Sequence, residues 1–179
     1  MIMTENVITL AFALASDNFN QSRLAELLET RITDDLEQQM LAALPRTDDP
    51  RLRNIIALKI AEDGSPVGKQ TSVPILKKLL EEPRTNGCRG TLLYALHEMR
   101  EPLPLAFLLD QIAGSNISYE VQSEVFEIIQ ENMSRFSSQE IKSSFRLVEN
   151  VNLQENECMH DILEILNEEL AERAGARLT

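Results

Sequence analysis

The apolar residues of this chain recur with a long period. Ile162-Leu163-Glu164-Ile165-Leu166 lies over Val125-Phe126-Glu127-Ile128-Ile129 at an offset of 37 residues. Val125-Phe126 lies over Leu92-Leu93 at an offset of 33, and Leu92-Leu93 lies over Ile55-Ile56 at an offset of 37. Each of these segments follows a cap signal and a shorter apolar segment. A spacing of this length marks a stacked array, in which each unit buries its apolar face against the next. Within each segment the apolar residues follow the 3.6-residue period of a helix, and alternating strand patterns are hard to find. The one Asn-Gly pair, Asn86-Gly87, precedes a helical pattern instead of joining two strands.

Start and stop signals divide the chain into helices. Residues 5–16 and 21–30 read as two apolar-faced helices. Residues 34–44 carry Leu36, Met40, Leu41 and Leu44, with Asp34 and Asp35 at the positive end of the helix. Asp49-Pro50 is an N-cap followed by proline at the first helical position, and it opens 50–63. Ser72 and Pro74 open 73–82, Asn86 opens 87–100, and Pro102 and Pro104 open 103–113. Ser118 opens 119–133. Ser137 with Glu140 fits a capping box for 138–149. Asn152 or Gln154 opens a long helix that runs to about Arg173. The loops are short, which suits antiparallel helix pairs. Helix 50–63 is apolar all round, through Leu52, Ile55, Ile56, Ala57, Leu58, Ile60 and Ala61, so it is expected to be sandwiched between neighbours.

With these residues in place, the chain resembles the HEAT/armadillo-like helical repeat family. Asp49-Pro50-x-x-Arg53-x-x-x-Ala57-Leu58 is similar to that family's aspartate-proline-arginine opening of a second helix. Ser72-Val73-Pro74-Ile75-Leu76-x-x-Leu79-Leu80 is similar to its proline-initiated first helix. The resemblance is best over 48–113 and fades over 115–175. It implies an all-α fold, a HEAT-like α-solenoid of about four helix pairs over 48–175, with an N-terminal helical cap over 1–45, in a single domain of 179 residues. It also implies a mostly non-enzymatic module that binds partners along the surface lined by the second helices.

Composition narrows the function classes. The net charge of −12 opposes a nucleic-acid partner, because binding phosphates needs a basic footprint. The absence of Trp and an aromatic share of 4% also weaken a base-stacking surface. Two cysteines, Cys88 and Cys158, are too few for a disulfide scaffold and fit a reducing compartment, so a cytoplasmic protein is expected. No stretch approaches the length of a membrane span. The apolar run at 7–15 lacks a basic flank and reads as an ordinary buried segment.

The charge is segregated along the chain. Residues 1–50 are net −6, residues 51–100 net +4 and residues 101–179 net −10. The C-terminal acids are also ordered. In the helix opened by Ser118, Glu120, Glu124, Glu127 and Glu131 share a narrow arc away from the core stripe Val121, Val125, Ile128 and Ile129. In the last helix, Glu157, Asp161, Glu164, Glu168 and Glu172 share the arc away from Met159, Leu163, Leu166 and Leu170. The offset of 37 that aligns the cores also aligns Glu120 with Glu157, Glu124 with Asp161, Glu127 with Glu164 and Glu131 with Glu168. The offset of 33 brings Tyr94 and Glu98 into the same line. Like charges at i,i+4 cost about 0.2–0.5 kcal/mol per pair, and few local cations offset them. An ordered row kept at that cost reads as a docking face for a basic protein, with Tyr94 as its aromatic anchor, the alternative being a solvated outer face that keeps an acidic chain in solution.

Other constellations are weaker. Glu157-x-x-His160 has the spacing of a helix-bundle di-iron motif but no second copy. His97-Glu98 resembles one of the His-Glu pairs of HEAT-type iron hydroxylases, which use several pairs where this chain has one. Cys158-Met159-His160 and the lone Cys88 do not form a zinc spacing. Cys88 near a helix start reads either as a reactive thiol or as a small buried residue. The bases Arg51, Arg53, Lys59, Lys77 and Lys78 are expected to pair internally with Glu62, Asp63, Glu81 and Glu82, the alternative being a small phosphate-facing patch. No nucleotide-binding loop or hydrolase motif occurs. The expectation is therefore a non-catalytic binding module without metal or cofactor. Its most concrete form is an acidic inhibitor or immunity protein that neutralises a basic partner, such as a bacterial toxin nuclease. The alternatives are a HEAT-like scaffold or adaptor in a larger assembly, and a HEAT-type lyase- or hydroxylase-like enzyme.

Overall fold

The computed structural model describes residues 31–114, 117–148 and 157–175. The helices expected at 5–16 and 21–30, and the opening signals at Asn152 and Gln154, lie outside the described residues. Every regular element described is helical: eight α-helices and two single 3-10 turns. The chain divides into two compact units, 1–101 and 102–179.

In the first unit, α1 is Asp34–Ala43, α2 is Pro50–Asp63, α3 is Pro66–Glu81 and α4 is Gly90–Glu98. Each helix packs on the next, and also on the next but one: α1 on α3, and most extensively α2 on α4. The interior between α2 and α4 is built from Leu52, Ile56, Ala57 and Ile60 against Leu92, Leu93, Ala95 and Leu96. Asp49 caps α2 as the sequence indicates, accepting from the Arg51 and Leu52 N–H groups at 2.8 and 3.4 Å. The expected internal pairing of bases holds in part: Lys59 bonds Asp63 at 2.5 Å, while Lys77 reaches Glu101 at 2.8 Å.

Two boundaries differ from the sequence reading. Helix α3 begins at Pro66, and Pro74 sits inside it, on its exposed side. The Ser65 hydroxyl caps this start by accepting from the Gly68 N–H at 3.0 Å. The start is fixed further by a group from another helix. The buried Glu37 carboxylate of α1 accepts from the Ser65 N–H at 2.6 Å and from the Ser65 hydroxyl at 2.7 Å, at the positive end of α3. Helix α4 is shorter than 87–100, because a 3-10 turn at Pro83–Thr85 and the positive φ of 83° at Gly87 come first. The buried Thr85 hydroxyl sits against the Leu79 and Glu82 carbonyls at 2.7 and 2.8 Å, which holds that turn.

Helix α4 ends in a Schellman motif: Arg100 N–H donates to His97 O at 2.7 Å, and Glu101 N–H to Leu96 O at 3.0 Å. The left-handed position, φ 55°, is occupied by Arg100 where glycine is favoured. Arg100→Gly is accordingly expected to raise stability by about 0.5–1 kcal/mol. A urea midpoint equal to or below that of the parent chain would contradict it.

In the second unit, α5 is Leu105–Ile112, α6 is Tyr119–Asn132, α7 is Ser138–Leu147 and α8 is Glu157–Gly175, with a 3-10 turn at Met133–Arg135. Helix α5 packs on α6 and α7, and α8 packs on α6 and α7. The core joins Leu105, Leu108 and Ile112 to Val125, Ile129, Ile141, Ile162 and Leu166. Ser118 caps α6. The capping box of α7 is formed as expected, with Glu140 N–H donating to Ser137 Oγ at 3.1 Å and Ser137 N–H to Glu140 Oε2 at 2.9 Å. That backbone bond from Ser137, with the hydroxyl bond beside it, lowers the Glu140 carboxyl from its ordinary range.

The offset of 37 also appears in side-chain contacts within each unit. Asn54 donates to Thr91 at 3.1 Å, and Arg173 to the Phe136 carbonyl at 2.6 Å. Arg84 reaches the Thr47 carbonyl at 3.5 Å, the Pro45 carbonyl at 2.6 Å and Asp48 at 2.7 Å. One guanidinium thus ties the α1–α2 loop to the α3–α4 loop.

Candidate functional site: two carboxylate rows

Helices α6 and α8 pack against each other within the second unit. The inner face of α6 is Val121, Val125, Ile128 and Ile129, as its pattern indicates. That orientation leaves Glu120, Glu127 and Glu131 exposed and Glu124 partly buried. The inner face of α8 is Met159, Ile162 and Leu166. Here the sequence reading needs correction, since Leu163 and Leu170 are only partly buried and Ile162 fills the interior. On the same side of α8, the half-buried Cys158 Sγ donates to the Gln122 carbonyl of α6 at 3.5 Å. Burial, with the nearby Asp161 charge, pushes the Cys158 thiol up to about 11.

Burial of this face leaves the acidic row in solvent. Glu157, Asp161, Glu164 and Glu168 are all exposed. The Cys158–Gln122 contact spans 36 residues, within one residue of the offset that pairs the two rows. Among the described residues, Glu127, Glu157, Glu164 and Glu168 make no ion pair. The one arginine resolved on α8, Arg173, is engaged with Glu169 at 2.6 Å and with the carbonyls of Phe136 and Met133. It holds the end of α6 and the 3-10 turn, and leaves the row alone. Glu127 of α6 and Glu157, Glu164 and Glu168 of α8 therefore present carboxylates to water.

Tyr94 and Glu98 lie one turn apart on α4, in the first unit, where Tyr94 is 38% exposed. The eight other carboxylates belong to the second unit. The exposed aromatic that shares a helix with the acidic row is Tyr119, 82% exposed in the first turn of α6 beside Glu120, while Phe126 on the same helix is partly buried.

A metal-ligating geometry also occurs on α8. One ligand atom each from His160, Asp161 and Glu164 lies within 4.8 Å of the others, with all three residues exposed. His160 Nδ1 is 3.6 Å from Asp161 Oδ1. This trio differs from the Glu157-x-x-His160 spacing, because Glu157 is not in the group. Neither a protein-family model nor a curated protein nor a solved structure matches this chain.

Proposed function

We propose that this chain is a non-catalytic protein-binding module, and that the carboxylate face of α6 and α8 docks a basic protein. In its most concrete form it is an inhibitor of the immunity type, in which carboxylates cover the surface a cationic toxin nuclease uses for phosphate. The reading is supported above all by the exposed carboxylates of two packed helices, Glu120, Glu127 and Glu131 on α6 and Glu157, Asp161, Glu164 and Glu168 on α8. Attraction over such a face speeds encounter with a cationic partner and falls with salt. The neighbour and next-neighbour packing in each unit supports a further part of the proposal, that the helices are pairs of a HEAT-like solenoid. The second reading is a HEAT-like scaffold or adaptor that uses the same face, and it is favoured if the partner has no activity to inhibit. A cytoplasmic setting goes with both readings, and no described helix is long and apolar enough to cross a membrane.

The test is titration of the chain against cationic nuclease domains at low and high salt. Binding is expected to weaken at least about tenfold as the Debye length shrinks from about 10 Å toward 3 Å. Replacing Glu127→Lys together with Glu164→Lys is expected to weaken it at least about tenfold more at low salt. Unchanged binding by that double variant rejects the carboxylate face.

A further inference from the structure

Arg53 of α2 is fully buried, yet among the described residues it makes no ion pair. Its Nη1 donates to the Thr47 carbonyl at 3.5 Å and its Nη2 to Cys88 Sγ at 2.9 Å, while Nε is buried with no hydrogen-bond partner. A guanidinium is planar and rigid, and its Nε–H and outer Nη2–H leave one edge in parallel. The edge that meets the Cys88 sulfur therefore has one donor engaged and one empty. Such an edge matches a group with two acceptor oxygens, which a thiol lacks. An orphaned buried donor is costly, so an acceptor oxygen gained at this sulfur is favoured.

Cys88 is within reach of small reagents. It is partly exposed, in the turn between the Pro83–Thr85 segment and α4. Its own S–H is directed to the Thr85 carbonyl at 3.2 Å, which leaves a sulfur lone pair toward Arg53.

We propose that Cys88 is an oxidation site, at which a peroxide adds oxygen to sulfur and Arg53 holds the product. In the first step Sγ attacks one peroxide oxygen. The S–O bond forms, the O–O bond breaks, and the departing oxygen leaves with a proton as water. Sulfur loses two electrons and the peroxide gains them, giving the sulfenic acid. A second equivalent repeats the step and gives the sulfinate, whose two oxygens accept the Nε–H and Nη2–H together.

The full-length chain is treated with hydrogen peroxide, and both cysteines are followed by peptide mass spectrometry. Cys158, whose thiol is pushed up to about 11, is the internal control. Cys88 is expected to gain oxygen at least about tenfold faster than Cys158. Arg53→Lys, checked for folding by circular dichroism, is expected to remove that difference. If this variant does not fold, Cys88→Asp carries the test, because its carboxylate has the shape of the sulfinate. It is expected to raise the melting temperature by about 2–4 °C, and Cys88→Ser is not. Equal oxidation of the two cysteines, or a Cys88→Asp melting temperature at or below that of the parent chain, overturns the proposal.

Discussion

Glu37→Ala is expected to cost about 3 kcal/mol of stability in the first unit, read by urea denaturation. The side chain is 4% exposed and accepts two hydrogen bonds from Ser65. Its loss leaves the Ser65 N–H of a partly buried helix start without its acceptor and opens a void beside Gly68. It also removes a negative charge from the positive end of that helix. A partner residue makes the argument testable twice. A Cβ on Gly68 would run into the Glu37 carboxylate. Gly68→Ala alone is expected to cost about 2 kcal/mol by overpacking, and close to nothing once Glu37 is alanine. Costs that simply add would show that the two residues do not share this space.

Ile56→Ala is expected to cost about 3–4 kcal/mol, and Leu163→Ala only about 1 kcal/mol. The two residues hold the same place in the sequence repeat, through Leu93 and Phe126. Their surroundings differ. Ile56 and Leu93 are fully buried between α2 and α4, while Phe126 and Leu163 are partly exposed. In the second unit the adjacent position takes over, since Val125 and Ile162 are fully buried. Equal costs at Ile56 and Leu163 would mean that the repeat position, not the local packing, sets the energetics.

These two cases also show what the sequence displays. Elements whose signals are local are read directly: the Asp49-Pro50 start of α2, the Ser118 start of α6 and the Ser137–Glu140 box of α7. The start of α3 carries a local signal too, the Ser65 cap followed by Pro66, but Ser72 and Pro74 compete with it in the sequence, and the Glu37 contact that reinforces the true start lies 28 residues away on another helix. The inner face of α8 is hidden because Ile162 and Leu163 both border its apolar arc, and packing on α6 and α7 buries Ile162. The sequence pairs Arg53 with nearby carboxylates, but the fold buries it against Cys88 instead. The carboxylate rows are legible because charge at helical spacing has only one side to occupy once the core stripe is fixed. The Tyr119 ring is not, because one aromatic just after a cap carries no periodic signal.

The guanidinium of Arg84 has a mechanical consequence. It grips Pro45, Thr47 and Asp48 on one connecting segment while staying bonded to Glu82 on the other. That clasp sits at one rim of the first unit, so bending between its successive helix pairs is restrained at that rim. Flexing there must work against four contacts converging on a single side chain.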